Sequence, residues 1–481
     1  MNSYEYINIE LEKIHRECNL SYWDHLVNNE PLHREKILNK YRPFFYDREI
    51  ISFIHRNLGK LEDKLEKRKW LLLKSYFSRK MIEYDQEINA AFEQASDLML
   101  DKAVKIEGKK FGVMELQSKI NCSENAEEKK HYTDLKDKFF NQYKQKILNI
   151  INRRNYLSKK QGYSSFLDLC LVNDDISYEQ LKNIIFSLKD ELIKITRNDL
   201  IQKESRKNFN DNNEVSSKYF SINSGYDLLN GFLNQWGISA NYKGITFKKT
   251  DSTKESNQSN ECIDISIPDD IRIFVNTKVP LSDYLYCLFH EFGHALHLAS
   301  INTEDYIFKL TPAYYCEAMA GLVDKLLVLP ESLGQYVDNE DELNIISKSI
   351  ISSNYNIFLG NIIRFLFESE LYEKELKVKE ADNLYKKIMY QWTGLKERRN
   401  WGELFVSYVK FPFNEYSYII ANIISNQVIS NIYRKFGSYL KPEVFDYIEQ
   451  NYYQPGNEKP IQEILSESTE EDLNTDYFFR I

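Results

Sequence analysis

Proline and glycine are scarce in this 481-residue chain, which has ten and sixteen respectively. Only Pro31 and Pro43 precede residue 268, so little interrupts the backbone of the first half and long helices are expected. No run of about 18 apolar residues occurs, which excludes a membrane-spanning helix. A basic stripe is also lacking. The 63 Lys and Arg stand against 72 Asp and Glu, a net charge of −9 spread along the chain, so nucleic acid is not an expected partner. The six cysteines form no C-x-x-C pair, which excludes a zinc ribbon or a dithiol redox motif. They read as small buried side chains in a reducing cytoplasm. The N-terminus, "MNSYEYINIELEKIHRE", lacks the basic start and short apolar run of a secretory signal, so a cytoplasmic location is expected.

What is present is mostly helical in pattern. To about residue 205 the spacing is amphipathic, as in "YDQEINAAFEQASDLMLDKAVKI" at 84–106. Two polar stretches follow, "KESRKNFNDNNEVSSK" at 203–218 and "KKTDSTKESNQSNE" at 248–261, and both read as surface loops. Then the period changes. Ile263, Ile265 and Ile267 alternate with polar residues, and so do Ile271, Ile273 and Val275 after "PDD", which predicts two short half-buried strands. Helical spacing returns near residue 282. The fold class is therefore mostly α, with a small β-sheet directly before one helix.

That helix carries "YCLFHEFGHALHL" at 286–298, with Ser282 or Asp283 as its cap. Leu285, Leu288, Phe292, Leu296 and Ala299 form one stripe, while His290, His294 and His297 fall on the opposite side. His290 and His294 lie one turn apart, close enough to share a cation. Glu291 projects to the flank, where a carboxylate reaches a water activated by the metal without taking a coordination position. Gly293 keeps the backbone bare between the ligands. The pattern H-E-x-x-H arises by chance in roughly one chain of this length in a hundred, so a metal site is the stronger reading. His297 follows too closely for a metzincin third ligand and reads as a neighbour of the ligands, lining the cleft or packed in the core.

A catalytic zinc needs three protein ligands and an open position. Glu317 stands 23 residues after His294, among Cys316, Ala318, Met319 and Ala320, in a segment "LTPAYYCEAMAGLVDKLLVLP" that Thr311 and Pro312 can start and Pro330 can stop. A carboxylate among apolar neighbours calls for a cationic partner, and zinc would be one. Asp324, seven residues on, could orient a ligating histidine.

At this point "HEFGHALH" resembles the active-site helix of the oligoendopeptidase F and thimet oligopeptidase family of zinc metallopeptidases, related to the angiotensin-converting-enzyme family. "INRRNYLSKKQGYSSFLDLCL" at 151–171 and "CIDISIPDDIRIFVNTKVPLSDYLYCLFHEFGHALH" are similar to further segments of these families. The resemblance implies one zinc ion held by His290, His294 and Glu317, with Glu291 as the base. It implies a two-lobed helical fold with a deep substrate channel that admits short peptides, the strand at Ile271–Val275 serving as an edge for an extended peptide. The lobes would be residues 1–205 and, carrying the active-site helix, residues 206–481, intertwined as one peptidase domain. "FPFNEYSYIIANI" at 411–423 resembles the helix whose tyrosine stabilises the oxyanion, which points to Tyr418, with Tyr416 in reserve. The chain departs from the family in having no histidine after His297. Tyr408 stands near the place of a substrate-binding histidine, and Glu415 where a further family tyrosine would fall.

The expected activity is hydrolysis of short oligopeptides in the oligoendopeptidase manner, by a monomer or small homo-oligomer. The alternatives are a C-terminal exopeptidase of the same superfamily and a zinc-containing peptide-binding protein of weak activity.

Overall fold

The computed structural model describes residues 3–480 apart from 29, 31, 59–61, 100–103, 107–108, 124, 202–214, 216, 251–259 and 395–399. Long helices dominate, as the scarcity of proline predicts. The 25-residue helix α1 (Tyr4–Asn28) opens the chain, and helices of 35 and 34 residues run over Ala126–Lys160 and Glu340–Glu373. Among the described residues no helix is long and apolar enough to cross a membrane.

The chain divides into two compact units, each discontinuous in sequence. One contains Met1–Lys74, Asn173–Asn361 and Tyr416–Ile481; the other contains Ser75–Val172 and Ile362–Glu415. No crossing between them falls at the expected cut after residue 205. In the second unit a short ribbon pairs β1 (Val104–Ile106) with β2 (Lys109–Phe111). There the 151–171 segment acts as a clamp. Arg154, only 4% exposed, donates to the carbonyls of Tyr408 (2.6 Å) and Val409 (2.7 Å), and the Asn155 amide donates to the Tyr372 carbonyl (2.7 Å).

The first unit holds a three-stranded sheet in the order β3 (Thr246–Thr250), β5 (Asp270–Asn276), β4 (Glu261–Ser266), with β3 parallel and β4 antiparallel to β5. Two expectations need correction. Residues 248–250 of the second polar stretch form a strand rather than a loop, because an edge strand tolerates lysines on its solvated side; residues 251–259 of that stretch lie outside the described residues. Most of the first polar stretch, 203–214 and 216, also lies outside them. The strand around Ile271–Val275 is not an edge, since β3 and β4 pair with it on either side, and the edge next to the histidine helix belongs to β4.

One face of the sheet buries Ile263, Ile265 and Phe274 against Trp23 and Leu26 of α1. Each such side chain contributes about 1.5–3 kcal/mol on burial. The Arg272 guanidinium lies over the Trp23 ring at 5.3 Å, and the Tyr22 hydroxyl donates to Glu261 at 2.6 Å. Helix α1 is thus fastened against one face of β4.

Candidate metal centre

Helix α2 (Leu281–Ser300) starts directly after Pro280, ahead of the expected Ser282 or Asp283 cap. Its stripe of Leu285, Leu288, Phe292, Leu296 and Ala299 is buried, as the periodicity predicts. Helix α3 (Ala313–Asp324) begins after Pro312 and ends at Asp324, short of Pro330, which instead opens a separate turn. The two helices pack closely where Gly293 meets Ala320. A Cβ on Gly293 would sit 2.7 Å from both the Cα and the carbonyl oxygen of Ala320. That approach brings the Glu317 carboxylate to the imidazoles.

The predicted ligands converge. His290 Nε2 lies 3.2 Å from His294 Nε2 and 3.2 Å from Glu317 Oε2, and His294 Nε2 lies 3.9 Å from the same oxygen. Bonds of about 2.0–2.1 Å at tetrahedral angles put two zinc ligands roughly 3.4 Å apart, so the spacing suits one ion at the common centre. A second observation agrees. Glu317 Oε2 is buried without a well-formed hydrogen bond, a costly state for a carboxylate that a cation would relieve. His290 Nδ1 lies 2.9 Å from Asp324 Oδ2, so the carboxylate fixes the ring and leaves Nε2 turned toward the group.

Electrostatics separates the two imidazoles. Burial opposes charge on His290, but its contacts with Asp324 and Glu317 outweigh burial and hold its pKa well above the ordinary value. Burial and the neighbouring His290 push His294 down to about 4. Burial would raise Glu317, yet the neighbouring imidazoles of His290 and His294 leave it lowered. Burial raises Glu291 to about 7, although His290 and the Cys262 N–H oppose the rise. That N–H, on β4, donates to Glu291 Oε2 at 2.7 Å and fixes the carboxylate beside the ligands.

The other predicted residues are placed differently. His297 is fully buried, packs its ring against Tyr315 and Tyr453, and has no hydrogen-bond partner for either nitrogen among the described residues; burial lowers its pKa to about 3. It is a neutral core histidine and does not line a cleft. Helix α4 (Glu415–Phe436) carries both candidate tyrosines. Tyr416 is buried and its hydroxyl donates to the Asp174 carboxylate, whose backbone carbonyl accepts from Tyr314 of α3 at 2.9 Å. Tyr418 is 36% exposed. Tyr408 and Glu415 belong to the second unit, where both are tied to Arg364: the Tyr408 hydroxyl donates to its carbonyl at 2.7 Å, and Glu415 accepts two bonds of 2.8 Å from its guanidinium.

No family model matches the sequence, and no curated protein matches it. Solved structures do share its backbone. Metallocarboxypeptidase 1 of Trypanosoma cruzi superposes with a TM-score of 0.66 at 12% identity, covering 99% of this chain and 97% of that one. A carboxypeptidase from Deinococcus radiodurans gives 0.64 at 14% identity, over 98% and 95%. A protein described as an oligoendopeptidase F gives 0.67 at 12% identity, over 97% and 88%. The chain has the fold of these helical peptidases.

Within this peptidase fold, two close neighbours of the site were not singled out from the sequence. One is Tyr286, whose ring stacks on His290 at 5.5 Å and 20°. Its position four residues before His290, on the same helical face, is the signal that could have found it. The other is Cys262, which acts through its backbone and so leaves no side-chain signal. None of the six cysteines is in a disulfide; Cys170 is buried, Cys122 is exposed and the other four are half-buried, so the expectation of buried side chains holds fully for Cys170 alone.

Proposed function

We propose that the protein is a cytoplasmic, zinc-dependent peptidase that hydrolyses peptide bonds of short oligopeptides. The observation that carries this reading is the convergence of His290, His294 and Glu317, with Glu291 fixed beside them. Bound there, zinc supplies Lewis acidity toward a peptide carbonyl and its attacking water. Glu291 takes the proton of that water and later passes it to the leaving amine, and its burial, which favours the protonated form, helps it hold the proton between the two transfers. Asp324 orients His290. Tyr418 donates to the oxyanion, a role for which Tyr416 is less suited because its hydroxyl is held by Asp174. The β4 edge next to Glu291 receives the extended peptide backbone. Nucleic acid and membrane have no part, and the working form is a monomer or small homo-oligomer.

The deciding experiment compares wild type with Glu291→Gln. Equal zinc content with hydrolysis lowered by about 10²–10⁴-fold is the expected result. A zinc-loaded wild type inactive across a broad peptide library would sink the proposal.

One observation favours a second reading, C-terminal exopeptidase activity. The match covers 97% and 95% of the two carboxypeptidases but 88% of the oligoendopeptidase. Peptides with amidated C-termini separate the two, since only an endopeptidase still cuts them.

A further inference from the structure

The edge of β4 is closed at one end by two side chains from the start of the chain. Pairing with β5 sets Cys262 opposite Ile273 and Asp264 opposite Ile271. Because the Cys262 N–H leaves the ladder for Glu291, Cys262 is an outward-pointing residue, and the alternation of an antiparallel ladder makes Asp264 the next one. The Asp264 carbonyl does point outward. It lies 2.8 Å from His15 Nε2 and accepts a 2.8 Å bond from the Asn19 amide. The same two side chains hold its carboxylate, with Asn19 Nδ2 at 2.8 Å from Oδ1 and His15 Nε2 at 3.0 Å from Oδ2. His15 and Asn19 stand one turn apart on α1 and touch each other at 2.9 Å. They form one block.

We infer that His15 and Asn19 are specificity-determining residues, which close the β4 edge at Asp264 and limit how far a bound peptide extends on that side of the scissile bond. The inference rests on the peptidase reading in taking the β4 edge as the seat of an extended peptide. Such a peptide finds the Cys262 carbonyl and the Asp264 N–H facing it, one residue's worth of pairing beside Glu291. The next acceptor, the Asp264 carbonyl, is already engaged, and an imidazole and a carboxamide fill the space where the peptide would continue. The block does not swing aside easily. Trp23 and Leu26, on the same helix, are buried in the sheet's core, and Tyr22 is bonded to Glu261.

The test uses the zinc-loaded Glu291→Gln protein, which binds peptides without consuming them. An unlabelled peptide ladder, lengthened one residue at a time at either end, competes with a fluorescent reference peptide. Affinity is expected to stop rising with length at one end only. In the His15→Ala/Asn19→Ala background the longer peptides at that end should bind about tenfold tighter, the worth of one or two recovered backbone bonds, while the shortest peptide binds as before. Asn19→Ala alone, which leaves His15 in place, should give a smaller shift in the same direction and serves if the double variant is unstable. Superimposable length profiles with and without the block, or no peptide binding at all, would overturn the inference. Wild-type hydrolysis, measured in parallel, tests the peptidase reading separately: a length limit without cleavage defeats that reading and keeps this one.

Discussion

Gly293 and Ala320 stand so close that a single methyl group would not fit between them. The contact sets the separation of α2 and α3, and therefore of Glu317 from the two imidazoles. Gly293→Ala should cost about 1–3 kcal/mol by overpacking. Zinc affinity should fall at least tenfold, because the helices can relieve the clash only by parting. Thermal melts and chelator competition check this, and wild-type zinc affinity in the variant would refute it.

Zinc and protons should compete at the site. In the metal-free protein His290 is held protonated at neutral pH by Asp324 and Glu317, whereas His294 is already neutral. Zinc loading near pH 7 should therefore release roughly one proton from His290, plus a fraction from Glu291. The sign follows: affinity climbs with pH until the raised His290 value is passed. Calorimetry in buffers of different ionisation enthalpy gives the count, and a binding heat independent of buffer would contradict it.

Asp324 acts on the metal only through His290, so its removal should loosen the ion without changing the ligand set. Asp324→Ala is expected to lower zinc affinity by about 10–100-fold. Asp324→Asn keeps an acceptor for Nδ1 and should recover part of that loss. Equal loss in both variants would argue that the charge matters more than the orientation.

The two tyrosines of α4 should separate cleanly. Tyr418→Phe is expected to lower kcat by about 10²–10³-fold with little change in KM. Tyr416→Phe removes a hydrogen bond to a carboxylate and should cost about 1.5–3 kcal/mol of stability. Its kcat per folded molecule should stay near wild type. The reverse pattern would move the oxyanion role to Tyr416.

The convergence of His290, His294 and Glu317, with Glu291 and Asp324 beside them, was legible because helical period places residues on faces, and these faces of α2 and α3 meet. The strands β4 and β5 were legible by alternation. Their order was not, because which strand lies in the middle depends on β3, a lysine-bearing edge with no apolar pattern. His297 shows the limit of a helical wheel. It shares an angular position with His290, yet seven residues carry it about 10.5 Å along the axis, into the rings of Tyr315 and Tyr453. Nor could any local window find His15 and Asn19, whose partner Asp264 stands 249 and 245 residues away.

That last separation bears on synthesis. Helix α1 leaves the ribosome long before the strand it rests on exists: at about 5–20 residues per second, roughly 12–50 s pass between His15 and Asp264. Through that interval Trp23 and Leu26 have no sheet to cover them, so the apolar side of nascent α1 stays exposed until β4 and β5 are made.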